Sequence, residues 1–388
     1  MRSRLFPVGG EQMRRPSTPR RCILLFIVIT LITLVSVAPA SSGAAQRLAE
    51  RARALTERVR TEERLPGVSA ALSVDGKIIW SGGSGYADLE NLVPATEKTV
   101  YRIASISKSI SAVAIMQLVE RGKINLDDDI RTIVPYFPRK RWPVSLRHLM
   151  THTSGIRHYK PGEFGTKEHY DTVKEALAVF MNDPLLFEPG TRFSYSTFGY
   201  NILAAVIEEV TGLSFEAYLR KNVWGPAGMT ATRLEKQGEL VPHRARGYVR
   251  GKNGDFRNAP FTDVSLKWAG GGMISTVEDL LRFARAVLDG TLIRASTLQQ
   301  MLTPYELKNG KRTNYGLGFA LGRDEKKGRV FGHAGGSTGF SSRLFIYPDV
   351  GIAVAVMTNL QGAGRSVTRL AQDLADLAIE TSGRKASK

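Results

Sequence analysis

The sequence predicts an α/β protein of two lobes, with one antiparallel sheet assembled from strands near both chain ends and a mostly helical lobe inserted between them. Three observations predict it: two strand-like runs joined by Asp75-Gly76 lie early in the chain, helix patterns fill roughly 123–300, and strand-like runs return after 328. A sheet whose partners come from the two ends satisfies all three.

The elements follow in order. Residues 2–21 hold six arginines against one acid, Glu11. Cys22–Val37 is a charge-free apolar run, followed by Ala38-Pro39-Ala40 and small residues. A basic lead, an apolar stretch and an A-x-A site make 1–43 a signal peptide, or, if uncleaved, an N-terminal membrane anchor. Residues 44–64 read as an amphipathic helix, with Leu48, Ala52, Leu55 and Val59 on one face and Pro66 behind it. Val68–Val74 and Lys77–Ser81 form a hairpin, since Asp-Gly supplies the positive φ that a tight turn needs. Residues 105–121 are a strongly apolar helix closed by Gly122. In the middle, Tyr200–Val210 and Ser275–Leu288 are the clearest helices, the second opened by a Ser275-Thr-Val-Glu278 capping box. Arg329–Gly332, Ser342–Tyr347 and Ile352–Met357 are strands, with a Pro348-Asp-Val-Gly351 turn, and Val367–Glu380 is a closing helix. The main folded domain is expected to span 65–380, and 381–388 to be a disordered tail.

The 388 residues are 43% hydrophobic and 23% charged, which excludes a disordered, collagen-like or multi-span membrane protein. The net charge of +18 invites an anionic partner such as envelope material or a membrane surface. Nucleic acid is not expected: the Arg139-Lys-Arg141 run, with Arg147, Arg157 and Lys160 nearby, lacks interleaved aromatics and a reader fold, so a solvated basic face is the better reading. The single cysteine, Cys22, excludes an intrachain disulfide, and no metal is expected: His148 and His152 stand four apart but the second falls in a Thr-His-Thr-Ser-Gly turn. Asp127-Asp-Asp129 reads as a helix start, and Gly270-Gly-Gly272 lacks the Lys-Ser/Thr of a phosphate loop.

The chemistry concentrates in three stretches. Ser105 stands three residues before Lys108 at the head of the apolar helix, so hydroxyl and amine share a face. A serine hydroxyl needs a base, and a lysine is one only when burial drives its pKa down. The same spacing at Ser382 and Lys385, in a charged tail, is chance. Tyr195, in Phe193-Ser-Tyr-Ser-Thr197 ahead of a helix, can present its hydroxyl from a loop; His333 sits among glycines in Phe331-Gly-His-Ala-Gly-Gly336.

In this order the three resemble the marks of the penicillin-binding and serine β-lactamase superfamily, S-x-x-K, Y-x-N and K-T-G or H-x-G, here Ser105-Ile-Ser-Lys108, Tyr195-Ser-Thr197 and His333-Ala-Gly335. Leu149–Gly155, Trp268–Thr276 and Tyr315–Phe319 also look like its class-C-like branch (peptidase family S12-type), and Ser154–Tyr159 looks most like LACTB-type proteins. The resemblance implies the β-lactamase-like (DD-peptidase/transpeptidase-like) fold and a serine hydrolase that forms an acyl-enzyme on a peptide, amide or ester, without cofactor. It implies Ser105 as nucleophile, Lys108 as base, Tyr195 as proton shuttle, Thr197, His333 and Gly335 as substrate-binding positions, and the N–H groups of Ser105 and Gly336 as oxyanion hole. Thr197 and His333 depart from the usual asparagine and lysine, which argues against an efficient β-lactamase. The alternative is a scaffold that keeps the fold and assembles into homo-oligomers. The expected location is periplasmic, extracellular or inner-membrane-anchored, or mitochondrial if the source is eukaryotic.

Overall fold

The computed structural model describes residues 40–384, so the predicted leader up to residue 39 and Lys385 lie outside the described residues. Seven strands form one antiparallel sheet in the order Val93–Pro94, Lys77–Asp88, Gly67–Val74, Ile352–Thr358, Phe340–Tyr347, Gly328–Ser337, Ala320–Asp324. Its centre is the seam between the early and late parts of the chain, where Val68 faces Thr358 and Val74 faces Ile352.

The central strand Ile352–Thr358 is buried along its whole length, and its alternation shows why. Ile352, Val354 and Val356 pack into a core with Leu48, Ala52 and Val59 of the Ala40–Glu62 helix and with Val367, Leu370 and Leu374 of the Gly364–Ser382 helix. Ala353, Ala355 and Met357 face the other way, into the core of the helical lobe. Small residues on that face let the Val277–Leu288 helix approach the sheet. Each fully buried aliphatic side chain contributes about 1.5–3 kcal/mol.

In the helical lobe the Thr197–Thr211 helix is buried continuously from Thr197 to Ile207, with Phe198 stacked on Phe180 at 4.4 Å between ring centroids. The apolar helix runs Ile106–Glu120. It is buried on all sides from Ile106 to Leu118, which is why its apolar residues show no single stripe.

Several expectations shift. The Lys77 strand continues through Gly82, Gly83 and Gly85 to Asp88, and the His333 motif lies inside the Gly328–Ser337 strand rather than after it. The helix cap moves by one residue and is a simple cap, not a box: Thr276 accepts from the Asp279 N–H, while Ser275 ends a strand and shares a hydrogen bond with Thr232. The tail expected from 381 is helical to Ser382, closed by Gly383 at φ 64°, and Arg384 pairs with Asp75. Asp129 does cap a helix, Ile130–Ile133.

Candidate active site

A short strand, Tyr101–Arg102, carries the chain to the sheet edge, and Ala104 then takes a left-handed φ of 48° that turns it into the Ile106–Glu120 helix. Such a backbone is strained for a residue with a Cβ. It leaves Ser105 at the helix head, partly exposed at the wall of a pocket of about 180 Å³.

Lys108 is completely buried. Its Nζ lies 3.1 Å from Ser105 Oγ and 3.1 Å from Thr197 Oγ1, and it donates to the Gly270 carbonyl. Burial pushes its pKa well below the ordinary lysine value, and the charge of Lys267 adds to the effect. A neutral amine has two N–H bonds and one lone pair. The Gly270 carbonyl takes one N–H and the Thr197 hydroxyl the other, leaving the lone pair for the Ser105 hydroxyl. Burial thus favours the neutral amine, the form a base requires.

Tyr195 also lines the pocket, its ring 4.9 Å from Lys108 Nζ and 4.1 Å from the His152 ring. Burial raises its pKa above the ordinary value, opposed in part by a hydrogen bond with Ser105, so near neutral pH Tyr195 is a phenol with a proton to give. His152 holds the tyrosine loop from below, accepting from the Ser196 N–H at Nδ1.

Of the other predicted positions, Thr197 and Gly336 line the pocket. The Thr197 hydroxyl, though, accepts from Lys108 and shares a hydrogen bond with Tyr159, and the Thr197 N–H donates to His158 Nδ1. His333 is buried and does not line it. Its Nδ1 is 2.6 Å from the Ala334 carbonyl, which only accepts, so that nitrogen carries the hydrogen and Nε2 accepts from the Tyr315 hydroxyl at 2.8 Å. Burial, then the charge of Lys108, holds the His333 pKa down to about 3. Gly335 also lies behind the wall. A Cβ there would stand 2.1 Å from Ser342 Oγ and 2.2 Å from the Ile103 carbonyl, so only glycine lets this strand lie against the segment leading to Ser105. Gly336 has open space where a Cβ would be.

Other residues of the site escaped the sequence reading. His158, Tyr159, Phe164 and Lys267 line the pocket, and Tyr315 holds His333. Lys267 is 3% exposed, its Nζ donating to the Phe164 carbonyl at 2.6 Å. Its only signal was its place beside the Trp268-Ala-Gly-Gly-Gly272 stretch.

The basic run near 139–160 is not a uniformly solvated face. Arg157 is buried between Glu163 and Asp183, Arg147 pairs with Asp127, and Lys140 reaches the carbonyls of Met181 and Asp183. His148 closes the first turn of its own helix against Ser145. Among the described residues no cluster of three or more histidine, cysteine or acidic side chains could hold a metal, and no helix is long and apolar enough to cross a membrane.

This geometry, a serine–lysine pair at a helix head beside the edge of an antiparallel sheet, is that of a serine-hydrolase class of fold. Residues 48–379 match the model of the Beta-lactamase family, and the chain belongs to that family. It is 32% identical to the human serine beta-lactamase-like protein LACTB, mitochondrial, over 86% of this chain and 80% of that protein. Among solved structures it is similar to the octameric penicillin-binding protein homologue from Pyrococcus abyssi (28% identity, TM-score 0.73, covering 87% of this chain and 78% of that one). It is also similar to the D-amino acid amidase from Ochrobactrum anthropi SV3 (25% identity, TM-score 0.73, covering 87% and 99%).

Proposed function

We propose that the protein is a serine hydrolase that works through an acyl-enzyme on a peptide, amide or ester, and that it is a poor β-lactamase. The observation that carries this is the buried Lys108 amine 3.1 Å from Ser105 Oγ, with burial favouring its neutral form. Ser105 Oγ attacks the substrate carbonyl as Lys108 takes its proton. The oxyanion gathers at the N–H groups of Ser105 and Gly336. Tyr195 gives its proton to the leaving group and is reprotonated from Lys108, so no charge is stranded between turnovers. Water then repeats the sequence on the acyl-enzyme. The Ochrobactrum relative, named as an amidase, supports amides as the first class to try.

The test is labelling of the pure protein with a fluorophosphonate probe, followed by intact mass with esters and amides. A tag on Ser105 and an acyl adduct are expected; an untagged Ser105 would favour the scaffold reading. We also propose a homo-oligomer, supported by the octameric archaeal relative, with mass from light scattering as its check. For residues 1–43 the proposal remains a leader or anchor to the cell envelope, or to the mitochondrion in a eukaryote, as the name of the human relative suggests. The N-terminal sequence of native protein decides it.

A further inference from the structure

Tyr195 stands in a stretch, 192–196, that has no regular secondary structure, so contacts from elsewhere must hold it. One residue supplies a contact on either side of the tyrosine. The Ser194 N–H donates to the His152 carbonyl at 2.8 Å, and the Ser196 N–H donates to His152 Nδ1 at 3.2 Å. Between these two bonds the Tyr195 ring lies 4.1 Å, centroid to centroid, from the imidazole. An Nδ1 that accepts carries no hydrogen, so the hydrogen is on Nε2, which is buried with no hydrogen-bond partner among the described residues. His333, by contrast, uses both of its nitrogens.

The backbone at His152 points the same way. Beyond the Leu146–Met150 helix the Thr153 N–H reaches the His148 carbonyl at 2.9 Å, and the His152 N–H that of Leu149 at 3.3 Å. These are the paired bonds of a Schellman motif, whose left-handed residue is usually glycine. Here that residue is His152, at φ 58°. A glycine would close the helix with less strain, and the stranded Nε2–H adds a desolvation cost. The imidazole hydrogen-bonds nothing in the helix it ends; its one partner is in the tyrosine stretch.

We propose that His152 is a positioning residue, whose carbonyl and Nδ1 fix the backbone on both sides of Tyr195 and so aim the phenol at the leaving group beside Ser105. This rests on the reading of Ser105 as nucleophile and Tyr195 as proton donor. His152 does not line the Ser105 pocket and acts only through Tyr195. Its effect is therefore confined to substrates whose leaving group needs a proton. Nitrophenolate departs as the anion, whereas ethoxide, a far stronger base, must be protonated as it leaves.

The experiment measures kcat/KM, which reports formation of the acyl-enzyme, for p-nitrophenyl, phenyl and ethyl butyrate. His152→Gly suits the positive φ but has no acceptor; His152→Phe fills the space and likewise has none. Each should lose about 100-fold on ethyl butyrate, the contribution of a general acid, and no more than about threefold on p-nitrophenyl butyrate. Labelling of Ser105 by the fluorophosphonate probe, whose leaving group is fluoride, should keep its rate. His152→Asn tolerates the same φ and puts Oδ1 where Nδ1 stood, so it should restore most of the loss on ethyl butyrate. Tyr195→Phe should show the same selective loss, and adding His152→Gly to it should cost nothing more. A loss that is absent or equal on all three esters, or a His152→Asn no better than His152→Gly, overturns the proposal and leaves the Ser105 reading standing. Acceptor-free variants that do not fold by circular dichroism, where His152→Asn does, make the contact structural and overturn it as well. If Tyr195→Phe shows no selective loss, Tyr195 is not the donor, and the proposal falls with that role. No turnover of any of the three esters by the wild type overturns the hydrolase reading, and this one with it.

Discussion

Lys108 illustrates how a single side chain acquires a role from its surroundings. Three contacts from three parts of the chain, at Ser105, Thr197 and Gly270, leave the amine buried without a carboxylate. Ser105→Ala and Lys108→Ala should each remove acyl-enzyme formation, with turnover down on the order of 10⁴-fold or more and no additivity in the double variant. Intact mass and stopped-flow bursts check this. Ser382→Ala should change nothing, because that hydroxyl only bonds back to the Ala378 carbonyl of its own helix. Discrimination against β-lactams belongs to the same scale. The Thr197 hydroxyl accepts from Lys108 and shares a second hydrogen bond with Tyr159, and both His333 nitrogens are used internally. Neither is free for a lactam's amide or carboxylate. At roughly 0.5–1.5 kcal/mol per neutral hydrogen bond and about 1.5–3 per charge-assisted one, nitrocefin should be hydrolysed at least ~30-fold less efficiently than a short p-nitrophenyl ester. Comparable kcat/KM values would refute this account. The nucleophile was legible in the sequence because i and i+3 on a helix need no tertiary information. Lys267 was not, because the carbonyl that holds it, at Phe164, is about a hundred residues away.

Whole elements place the pocket wall. The segment carrying His158 and Tyr159 has no regular secondary structure, and its shape depends on Arg157, whose guanidinium joins Glu163, Asp183 and the carbonyls of His158 and Val179. Arg157→Met removes the guanidinium shared by two part-exposed carboxylates that still keep Lys160 as a partner, a loss of about 1.5–3 kcal/mol. Urea unfolding should show that drop. Because His158 and Tyr159 lose their support, KM should rise more than kcat falls; an unchanged midpoint would show the ion pairs to be dispensable. In the sequence Arg157 belongs to a basic run with no local sign that two acids converge on it. The strands were better read where apolar residues alternate, as at Ile352–Thr358. Where glycines replace them, at Gly82–Gly85 and around His333, the pattern fades although the ladder continues, with Gly332 opposite Phe345 and Gly336 opposite Ser341. There glycine serves close approach rather than a turn.

Across the whole molecule, the buried histidines tie stability to pH with one sign. His333 is held down to about 3 and His148 and His158 to about 4, each chiefly by burial. His152 is held well below its ordinary value, also by burial first. In the unfolded chain all four titrate near 6.5. Between about pH 6.5 and 4 the unfolded state therefore binds more protons than the folded one. Stability is fully present above 6.5 and is lost as pH falls. His169 works in the opposite direction, its pKa raised by Asp263, but it is about half exposed and counts for little. Each fully buried histidine contributes a slope of about 1.4 kcal/mol per pH unit. For His333, held to about 3, two pH units below 6.5 amount to roughly 3 kcal/mol, a sizeable share of the total stability of an ordinary domain, and His152 acts in the same direction. The protein should hold its Tm from pH 8 to 7 far better than from pH 6 to 5, with Tm falling progressively as the pH is lowered further. Calorimetry across that range, repeated on His333→Asn, checks the assignment. The variant keeps a donor and an acceptor but cannot titrate, so its stability should fall with pH less steeply by about 1.4 kcal/mol per unit. Parallel profiles for the two proteins would mean that His333 is not the neutral, buried group that its bonds to Tyr315 and Ala334 require.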